Sequence, residues 1–397
     1  MKKQKLYLLT QAFPIKQRES SFISPEFPFL KENFDVTIVP LEECSHTAFS
    51  RLKAFIKSLC SPLLYKQVFQ GKKQGKSAFK VFQFSLFMLW RANTYADYLE
   101  KNIFSSDSAV VYGYWYNEII LSALLLKNNH PNYKYITRCH GYDVYDFRVP
   151  GSFHPYKSFM DSRLDKVVFA CNHAKNYYLH RYNIQDSEKY IVSYLGVPQK
   201  NIDKAVFNQQ NNDKKALVIV SCSSVIELKR VHLIADALRL IDDINIEWHH
   251  FGSGNMMDNL KEHAEFLLKK DNISYTLHGF VENDKYIKLL GEMNADLFIT
   301  LSSTEGGVPV SISEAASFGI PVIATAVGGI VEIVSDDNGI LLCENACAED
   351  AANAVCSFYS LSFEEKRQKK LASLKKWEQN FNSRKNSENL INILKQL

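Results

Sequence analysis

Two glutamates, Glu305 and Glu314, stand nine positions apart in the segment SSTEGGVPVSISEAASFGIPVIATAVGG. Proline near its start and glycine at its end predict a short helix over residues 309–318. Glu314 lies inside this helix among apolar and small residues, and helical side chains lean toward the N-terminus. Burying a carboxylate without a partner is costly, so the pattern predicts a ligand that presents hydroxyl groups to Glu314.

The turn ahead of the same helix has the composition of an anion site. Gly306 and Gly307, followed by Val308, carry backbone N–H groups just before the helix N-terminus, where the helix dipole favours negative charge. The small residues also let a ligand approach closely. The segment therefore predicts a ligand that carries both a phosphate-like anion and hydroxyl groups.

Three further pairs of candidate residues follow predicted strands in the sequence. A Lys-Arg pair, Lys229 and Arg230, follows a serine-rich turn. A Gly-x-Gly turn with Gly252 and Gly254 follows the next strand. In the first half of the chain, His140 and Asp143 lie three positions apart. The cations have the alternative of a solvated helix face, and His140 that of a strand-end histidine with satisfied hydrogen bonds. The Gly-x-Gly pattern by itself is a weak indication of a site.

The segment around Glu314 resembles the signature of the family 4 retaining glycosyltransferases, which have the GT-B fold and use sugar nucleotides. The family pattern is a glutamate, seven residues, a second glutamate and then A-x-x-x-G-x-P-V-I-A-T, and EAASFGIPVIAT matches its second part. Here eight residues separate Glu305 from Glu314. The resemblance implies that Glu314 binds the ribose hydroxyls. For Glu305 it leaves open a contact with the donor sugar or a solvated loop carboxylate.

Other segments extend the resemblance over most of the chain. CSSVIELKRVHLI is similar to the loop that binds the diphosphate, which implies that Lys229 and Arg230 contact the leaving group. HHFGSG implies that Gly252 and Gly254 lie near the nucleotide. LHGFVEND implies that backbone groups of Phe280 and Val281 lie against the base, and TRCHGYDVY implies that His140 and Asp143 lie at the donor sugar.

The positions of these motifs depend on an alternation of short apolar runs with helix-length spacers. Such alternation predicts an α/β protein with parallel sheets covered by helices on both faces. With the resemblance, the expected fold is GT-B, two Rossmann-like domains whose sheets face each other across a cleft. We expect an acceptor-binding domain over 1–200, a nucleotide-sugar-binding domain over 201–375 and a terminal helix over 376–397 that crosses back to the first domain, with a linker at 199–215.

Length and composition bound the class of protein. The chain has 397 residues, 46% of them hydrophobic and 23% charged, which predicts two globular domains with full cores. A net charge of +4 is too small to indicate nucleic-acid binding. The eight cysteines show no Cys-x-x-Cys pair, so we interpret them as reduced core thiols of a cytoplasmic protein. The N-terminal apolar run is short and predicts a first strand rather than a signal peptide.

Residues 45–96 contain no Asp or Glu but nine Lys and Arg, interleaved with aromatic and aliphatic residues. Basic amphipathic helices of this kind can lie on an anionic membrane surface. The alternative is a pair of helices packed on the N-terminal sheet with a solvated basic face. Both interpretations stay open, and the first adds peripheral contact with the inner face of the cell membrane to the cytoplasmic expectation.

The function expected from the resemblance is a retaining glycosyltransferase. It would move a sugar from a UDP- or GDP-linked donor to a glycan or lipid-linked glycan in the assembly of a surface polysaccharide or lipopolysaccharide, without a cofactor. The chain has no Asp-x-Asp triplet, which argues against a metal-bridged diphosphate. Two alternatives remain, a sugar-nucleotide 2-epimerase of similar fold and a nonenzymatic protein that binds nucleotide sugars.

Overall fold

A computed structural model describes residues 3–16, 23–198 and 216–397 of the chain. The chain divides into two compact units. The N-terminal unit comprises Met1–Tyr194 together with Arg384–Leu397, and the C-terminal unit comprises Leu195–Ser383. The linker that we expect at 199–215 lies outside the described residues.

Among the described residues, the N-terminal unit contains a sheet of six parallel strands in the order β2-β1-β3-β4-β5-β6. Its central strands are apolar and buried on both faces, as parallel strands covered by helices must be. The strands are β1 Lys5–Thr10, β2 Asp35–Pro40, β3 Ala109–Gly113, β4 Tyr133–Cys139, β5 Lys166–Phe169 and β6 Tyr190–Val192.

The described part of the C-terminal unit also contains six parallel strands, in the order β12-β11-β10-β7-β8-β9. The order reverses between β7 and β10, and in open sheets ligands bind beyond the carboxyl ends of the strands at such a point. The strands are β7 Leu217–Cys222, β8 Ile246–Phe251, β9 Ile273–Gly279, β10 Leu297–Thr300, β11 Val322–Thr325 and β12 Gly339–Leu342. The predicted α/β class with two parallel sheets is confirmed.

Helices connect the strands in both units. In the N-terminal unit they are Phe27–Asn33, Ala48–Leu59, Pro62–Lys73, Ala78–Asn102, Glu118–Leu124, Gly141–Val144, Lys157–Asp161 and Asn172–Tyr182. In the C-terminal unit they are Val231–Arg239, Met257–Leu267, Asn283–Glu292, Val310–Ser317, Ala348–Ser360 and Phe363–Lys376. The last helix, Ser383–Lys395, packs Leu390, Ile391 and Leu394 into the core of the N-terminal sheet. In the described ranges, no helix has the length and apolarity that crossing a membrane requires.

The cysteines are all free, but the prediction that they are core thiols is wrong for half of them. Cys139 and Cys171 are buried, Cys44 and Cys222 are partly buried, and the others are exposed: Cys60, Cys343, Cys347 and Cys356. Free cysteine is among the residue types most often buried, but that tendency does not decide the burial of an individual thiol.

Arg138 is the largest charged group in the N-terminal core, with 1% of its surface exposed. Its guanidinium donates to Glu26 Oε2 at 2.7 Å, to the Tyr112 hydroxyl at 2.9 Å and to the Ser193 carbonyl at 2.9 Å. Burial raises the pKa of Glu26, and the charge of Arg138 and the bond from Tyr112 lower it again in part. The network therefore joins four separate segments of the unit through bonds made in a medium of low polarity.

We expect Arg138→Met to destabilise the protein by about 3–5 kcal/mol, because it leaves Glu26 buried without its cation. The double variant Glu26→Gln with Arg138→Met should recover a large part of that loss. Chemical denaturation measures both. Lys101→Met, which breaks the exposed ion pair with Asp97, is the matched control and should cost less than about 1 kcal/mol. An Arg138→Met variant as stable as this control would contradict the structural role of the network.

Candidate functional site

The loops after β7 and β10 meet at the point where the C-terminal sheet reverses its strand order. Lys229 ends a short 3-10 helix, Glu227–Lys229, and its ammonium group forms an ion pair with the carboxylate of Glu305. Glu305 is buried, with 9% of its surface exposed. The alternative of a solvated loop carboxylate is therefore wrong for Glu305, while its predicted contact with a donor sugar stays a prediction.

The helix that follows this loop runs from Val310 to Ser317, with Pro309 at the N-cap and Phe318 at the C-cap. It is one residue shorter at each end than predicted, because the extended ψ of Pro309 (132°) places that residue before the first turn. Gly319 has the left-handed conformation (φ +70°) that we predict for the stop.

The backbone amides ahead of this helix are available to a ligand. In the described part of the chain, the N–H groups of Gly306, Gly307 and Val308 make no hydrogen bond, and all three residues are partly exposed. Successive unpaired amides at the N-terminus of a helix form an anion-binding concavity. Lys229 is paired with Glu305, the residue directly before this turn, so a cation is held next to the loop that carries the three amides.

Glu314 is buried in the interior of the Val310–Ser317 helix, as the sequence predicts. Asn283, the first residue of the helix after β9, donates from Nδ2 to Glu314 Oε1 at 2.7 Å. Burial and the nearby charge of Glu314 raise the pKa of the Cys222 thiol to about 12, and Lys229 acts in the opposite direction. Glu314 and Lys229 are thus both within electrostatic reach of Cys222 at the carboxyl end of β7. Sequence reasoning missed Asn283, because nothing local pairs it with Glu314.

Arg230 has contacts that differ from those of Lys229. Its guanidinium donates to the carbonyls of Leu301 at 2.6 Å, of Glu344 at 3.1 Å and of Ser302 at 3.3 Å. Arg230 therefore holds the loops after β10 and β12 to the loop after β7. Its predicted contact with a diphosphate stays a prediction.

The glycines after β8 allow close backbone packing between two loops. A Cβ atom on Gly252, which has φ +137°, would lie 1.8 Å from the Ser223 carbonyl oxygen. A Cβ on Gly254 would lie 2.2 Å from the Val225 carbonyl oxygen. The Gly-x-Gly turn thus positions the loop after β7 that ends in Lys229.

A second pair of glycines, Gly328 and Gly329 after β11, supports the predicted anion turn. A Cβ on Gly328, which has φ +55°, would lie 2.1 Å from the Glu305 carbonyl oxygen, and one on Gly329 would lie 2.7 Å from the Val308 nitrogen. Sequence reasoning missed this pair as part of the site. The glycine doublet directly after a buried strand was the available indication.

Phe280 and Val281 follow β9 and differ in exposure. The Phe280 side chain is exposed and Val281 is partly buried. The positive φ of Gly279 (+68°) turns the chain immediately before them. Their predicted backbone contacts with a base stay predictions.

His140 follows β4 in the N-terminal unit and caps the short helix Gly141–Val144. Its ring is buried, and Nε2 lies 3.1 Å from the Tyr114 carbonyl oxygen. The centroids of the His140 and Trp115 rings are 4.3 Å apart. Burial, with the charge of Arg138, lowers its pKa to about 3. The imidazole is therefore neutral at physiological pH, and since a carbonyl only accepts, Nε2 carries the proton.

A cavity of about 360 Å³ lies within the N-terminal unit at the carboxyl ends of its strands. Aromatic and carboxylate side chains dominate its wall, with a single arginine among them: Gln11, Glu42, Phe84, Phe87, Met88, Arg91, Trp115, Tyr116, Asn117, Glu118, Tyr142, Asp143 and His154. Arg91 is already paired with Glu42 at 2.6 Å and Glu118 at 3.0 Å. Aromatic faces combined with carboxylates suit a neutral polyhydroxylated ligand better than an anion.

Two buried groups on this wall keep an atom without a hydrogen-bond partner among the described residues, Asp143 Oδ1 and His154 Nε2. Asp143 Oδ2 accepts from the His140 N–H at 3.1 Å. Burial raises the pKa of Asp143 to about 6, although Lys157 and backbone N–H groups of His140 and Tyr116 lower it in part. Within the described ranges, no three His, Cys, Asp or Glu side chains gather as a metal ion would require.

Comparison with known families finds a match over the second half of the chain. Residues 202–376 match the family model of the glycosyl transferases group 1, and these residues contain the Lys229–Glu305 pair and the Glu314 helix. The predicted resemblance to these glycosyltransferases is confirmed over residues 202–376. The assignment to family 4 stays a prediction.

Curated relatives give a partial match. The chain is 27% identical over 218 residues to WcaL of Escherichia coli strain K12, a protein provisionally named as a colanic acid biosynthesis glycosyltransferase. It is 26% identical over 164 residues to WcaL of Salmonella typhimurium strain LT2. These matches span 52% and 39% of the relatives' length, which is about half or less.

Solved structures show the fold over the whole chain. A glycosyltransferase from Rickettsia africae has a TM-score of 0.67 at 17% identity, covering 100% of this chain and 99% of its own. The lipopolysaccharide outer core galactosyltransferase WaaB has a TM-score of 0.68 at 15% identity, covering 99% and 100%. HepE of Anabaena, solved with UDP and glucose, has a TM-score of 0.65 at 15% identity, covering 99% and 100%. The fold is that of these glycosyltransferases, and the predicted GT-B class is confirmed.

We expect Gly328→Ala to be more destabilising than its positive φ alone explains, because the new Cβ meets backbone rather than a flexible side chain. Gly75→Ala is the matched control, since Gly75 has φ +70° and no atom within 4 Å of its Cβ position. The control should cost about 1–2 kcal/mol and Gly328→Ala at least about 1 kcal/mol more, measured by denaturation. Equal losses in the two variants would contradict the contact between the Gly328 turn and the Glu305 loop.

Proposed function

We propose that this protein is a retaining glycosyltransferase that uses a UDP- or GDP-linked sugar. The observation that carries the proposal is the convergence of Lys229, three unpaired amides at 306–308 and the buried Glu314 at the switch point of the C-terminal sheet. The cation and the amides would bind the diphosphate, and Glu314 would accept hydrogen bonds from the ribose hydroxyls. The family match over the same residues supports this arrangement.

In the proposed reaction, the bond between the sugar anomeric carbon and the diphosphate oxygen breaks while the acceptor hydroxyl oxygen bonds to that carbon from the same face. The acceptor proton passes to the departing diphosphate oxygen. Lys229 and the amides would stabilise the negative charge that develops on the diphosphate, which is the main electrostatic requirement of this step. No covalent sugar–enzyme intermediate is part of the proposal.

Binding of the donor diphosphate would also change the ion pair between Lys229 and Glu305. A diphosphate that binds Lys229 competes with Glu305 for the ammonium group, so the carboxylate becomes available to another partner. Hydroxyl groups of the donor sugar are suitable partners for a buried carboxylate. This exchange would connect the predicted roles of Lys229 and Glu305, because the anion frees the carboxylate that the sugar uses.

For the acceptor, we propose a glycan or lipid-linked glycan whose sugar enters the cavity of the N-terminal unit. Trp115 and Tyr142 offer aromatic faces, and the unpaired atoms of Asp143 and His154 can bond to hydroxyl groups. Asp143, expected from the sequence to contact the donor, is thus proposed more broadly as a ligand for sugar hydroxyls. A role in polysaccharide assembly follows the provisional name of WcaL and the function named for WaaB.

We expect Lys229→Ala and Glu314→Gln each to lower kcat/KM for transfer by about a hundredfold, because the first removes the cation at the developing diphosphate charge and the second weakens the acceptor for the ribose hydroxyls. The assay supplies UDP- and GDP-sugars with a lipid-linked glycan acceptor and follows product formation. Lys269→Ala and Glu265→Ala, which remove an exposed ion pair of the same unit, are the controls and should leave the rate unchanged. Unchanged transfer in Lys229→Ala and Glu314→Gln would show that the site is misassigned.

The same assay separates the alternatives. Isomerised donor formed without acceptor would indicate a 2-epimerase, and donor binding without turnover would indicate a nonenzymatic binding protein. Transfer with inversion of the anomeric configuration would contradict the retaining mechanism but not the proposal of a glycosyltransferase. Product configuration is read by nuclear magnetic resonance of the new linkage.

The pKa of Asp143, raised to about 6, predicts a pH dependence. Below that pH the carboxyl group is protonated and accepts hydroxyl hydrogen bonds less well, so we expect KM for the donor or acceptor sugar to rise as pH falls from about 8 to 5. Asp143→Asn should show a higher KM without this slope. For stability the sign is opposite: a raised pKa favours the folded state at low pH, and this contribution is lost as pH rises through about 6. Wild-type KM values that do not change with pH would contradict the role of Asp143.

A further inference from the structure

The helix Ala48–Leu59 presents an apolar stripe to solvent rather than to the protein. Ala54 and Ser58 are buried, and Ser58 accepts a hydrogen bond from Asn93 of the long helix Ala78–Asn102 at 2.8 Å. On the opposite side, Phe49, Leu52 and Ile56 are 78%, 57% and 53% exposed. Their spacing of three and four residues places them on one face. The amphipathic pattern of this helix is therefore directed outward.

The next helix, Pro62–Lys73, repeats this arrangement. Tyr65 and Phe69 are exposed four residues apart, and Leu64 and Gly71 are buried against the unit. The spacing of the two stripes is the same, and in each a lysine directly follows the second apolar residue. The first stripe has Phe49, Leu52 and Ile56 with Lys53, and the second has Pro62, Tyr65 and Phe69 with Lys66. We call these two helices the basic helix pair.

Charge on the basic helix pair has one sign. Residues 45–96, all within a described range, contain no Asp or Glu, and Lys53, Lys57, Lys66 and Lys73 are exposed. Lys73 Nζ lies 4.7 Å from the centroid of the exposed Phe69 ring, so cation and apolar surface are adjacent. An apolar stripe beside flexible cations is the composition of helices that lie in the interface of an anionic bilayer.

The structure therefore points to the basic helix pair as a docking surface for an anionic lipid bilayer. Phe49, Leu52, Ile56 and Phe69 insert between the acyl chains, and the lysines lie at the level of the headgroups. A second copy of this chain would bring the same positive charge to the surface, and like charges disfavour that contact. Mobile lipid headgroups can gather around unevenly spaced lysines, whereas a protein partner would need a matching acidic patch. This inference stands apart from the proposed reaction, since it requires no turnover.

Vesicle co-sedimentation of the full chain tests the docking surface. The probes are vesicles of phosphatidylcholine alone and vesicles of phosphatidylcholine with phosphatidylglycerol. We expect binding to the anionic vesicles, weaker binding as salt is added and little binding to the neutral vesicles. Equal binding to both vesicles, or no binding to either, would overturn the proposal.

Matched variants locate the surface. The triple variant Phe49→Ser, Leu52→Ser, Ile56→Ser should lose at least about tenfold in partition to anionic vesicles, because three inserted side chains are removed. Phe266→Ser is the control, since Phe266 is 79% exposed on the helix Met257–Leu267, and it should bind as the wild type does. The substituted side chains are exposed, so thermal unfolding should be unchanged in both variants.

A second pair of variants tests the charge. Lys53→Gln with Lys57→Gln should weaken binding roughly tenfold, while Lys261→Gln with Lys269→Gln, exposed on the C-terminal unit, should not. Triple-variant binding equal to wild type would overturn the proposal. The proposal would also be overturned if the triple variant kept its vesicle binding but lost a concentration-dependent dimer that the wild type forms. Loss of binding to an acidic protein, with vesicle binding kept, would overturn it in the same way.

Discussion

The ion pair between Lys229 and Glu305 joins two loops that leave neighbouring strands at the point where the C-terminal sheet reverses its order. The proposed donor site depends on this contact. The connection after β7 leads to β8 and the connection after β10 leads to β11, in opposite directions along the sheet, so the two loops diverge and leave space for a ligand between them. The ion pair fixes the cation beside the unpaired amides at 306–308, and it holds a carboxylate that an incoming anion would release.

Close backbone approaches keep these loops in position. Gly252 and Gly254 let the turn after β8 contact the loop before Lys229, and Gly328 and Gly329 let the turn after β11 contact the loop of Glu305. Arg230 adds hydrogen bonds to the carbonyls of the loop after β10. A site that binds through backbone amides needs such support, because the position of an amide is set by the whole loop and not by a side-chain rotamer.

The sequence predicted the alternation of strands with helices and the Glu314 helix well, because both are local patterns. Buried parallel strands are nearly continuous apolar runs, and the Glu314 helix has proline and glycine at its ends. The contacts of the site were less accessible. Lys229 and Glu305 are 76 residues apart, and Asn283 and Glu314 are 31 apart. Neither pair has a local pattern, so only the tertiary fold shows that Glu305 is buried and that Glu314 has a partner. The outward direction of the Ala48–Leu59 stripe was equally invisible, since an apolar helix face fits a core as well as a membrane.

The central claim is that the loops after β7 and β10 bind the diphosphate of a nucleotide sugar. Calorimetric titration of the full chain with UDP, GDP, uridine and guanosine tests it most directly, because each pair of ligands differs only in the diphosphate. Charge-assisted hydrogen bonds to Lys229 and the amides predict that at least one diphosphate binds more than about tenfold tighter than its nucleoside. Equal affinity for nucleoside and diphosphate, or no binding of either, would contradict the account.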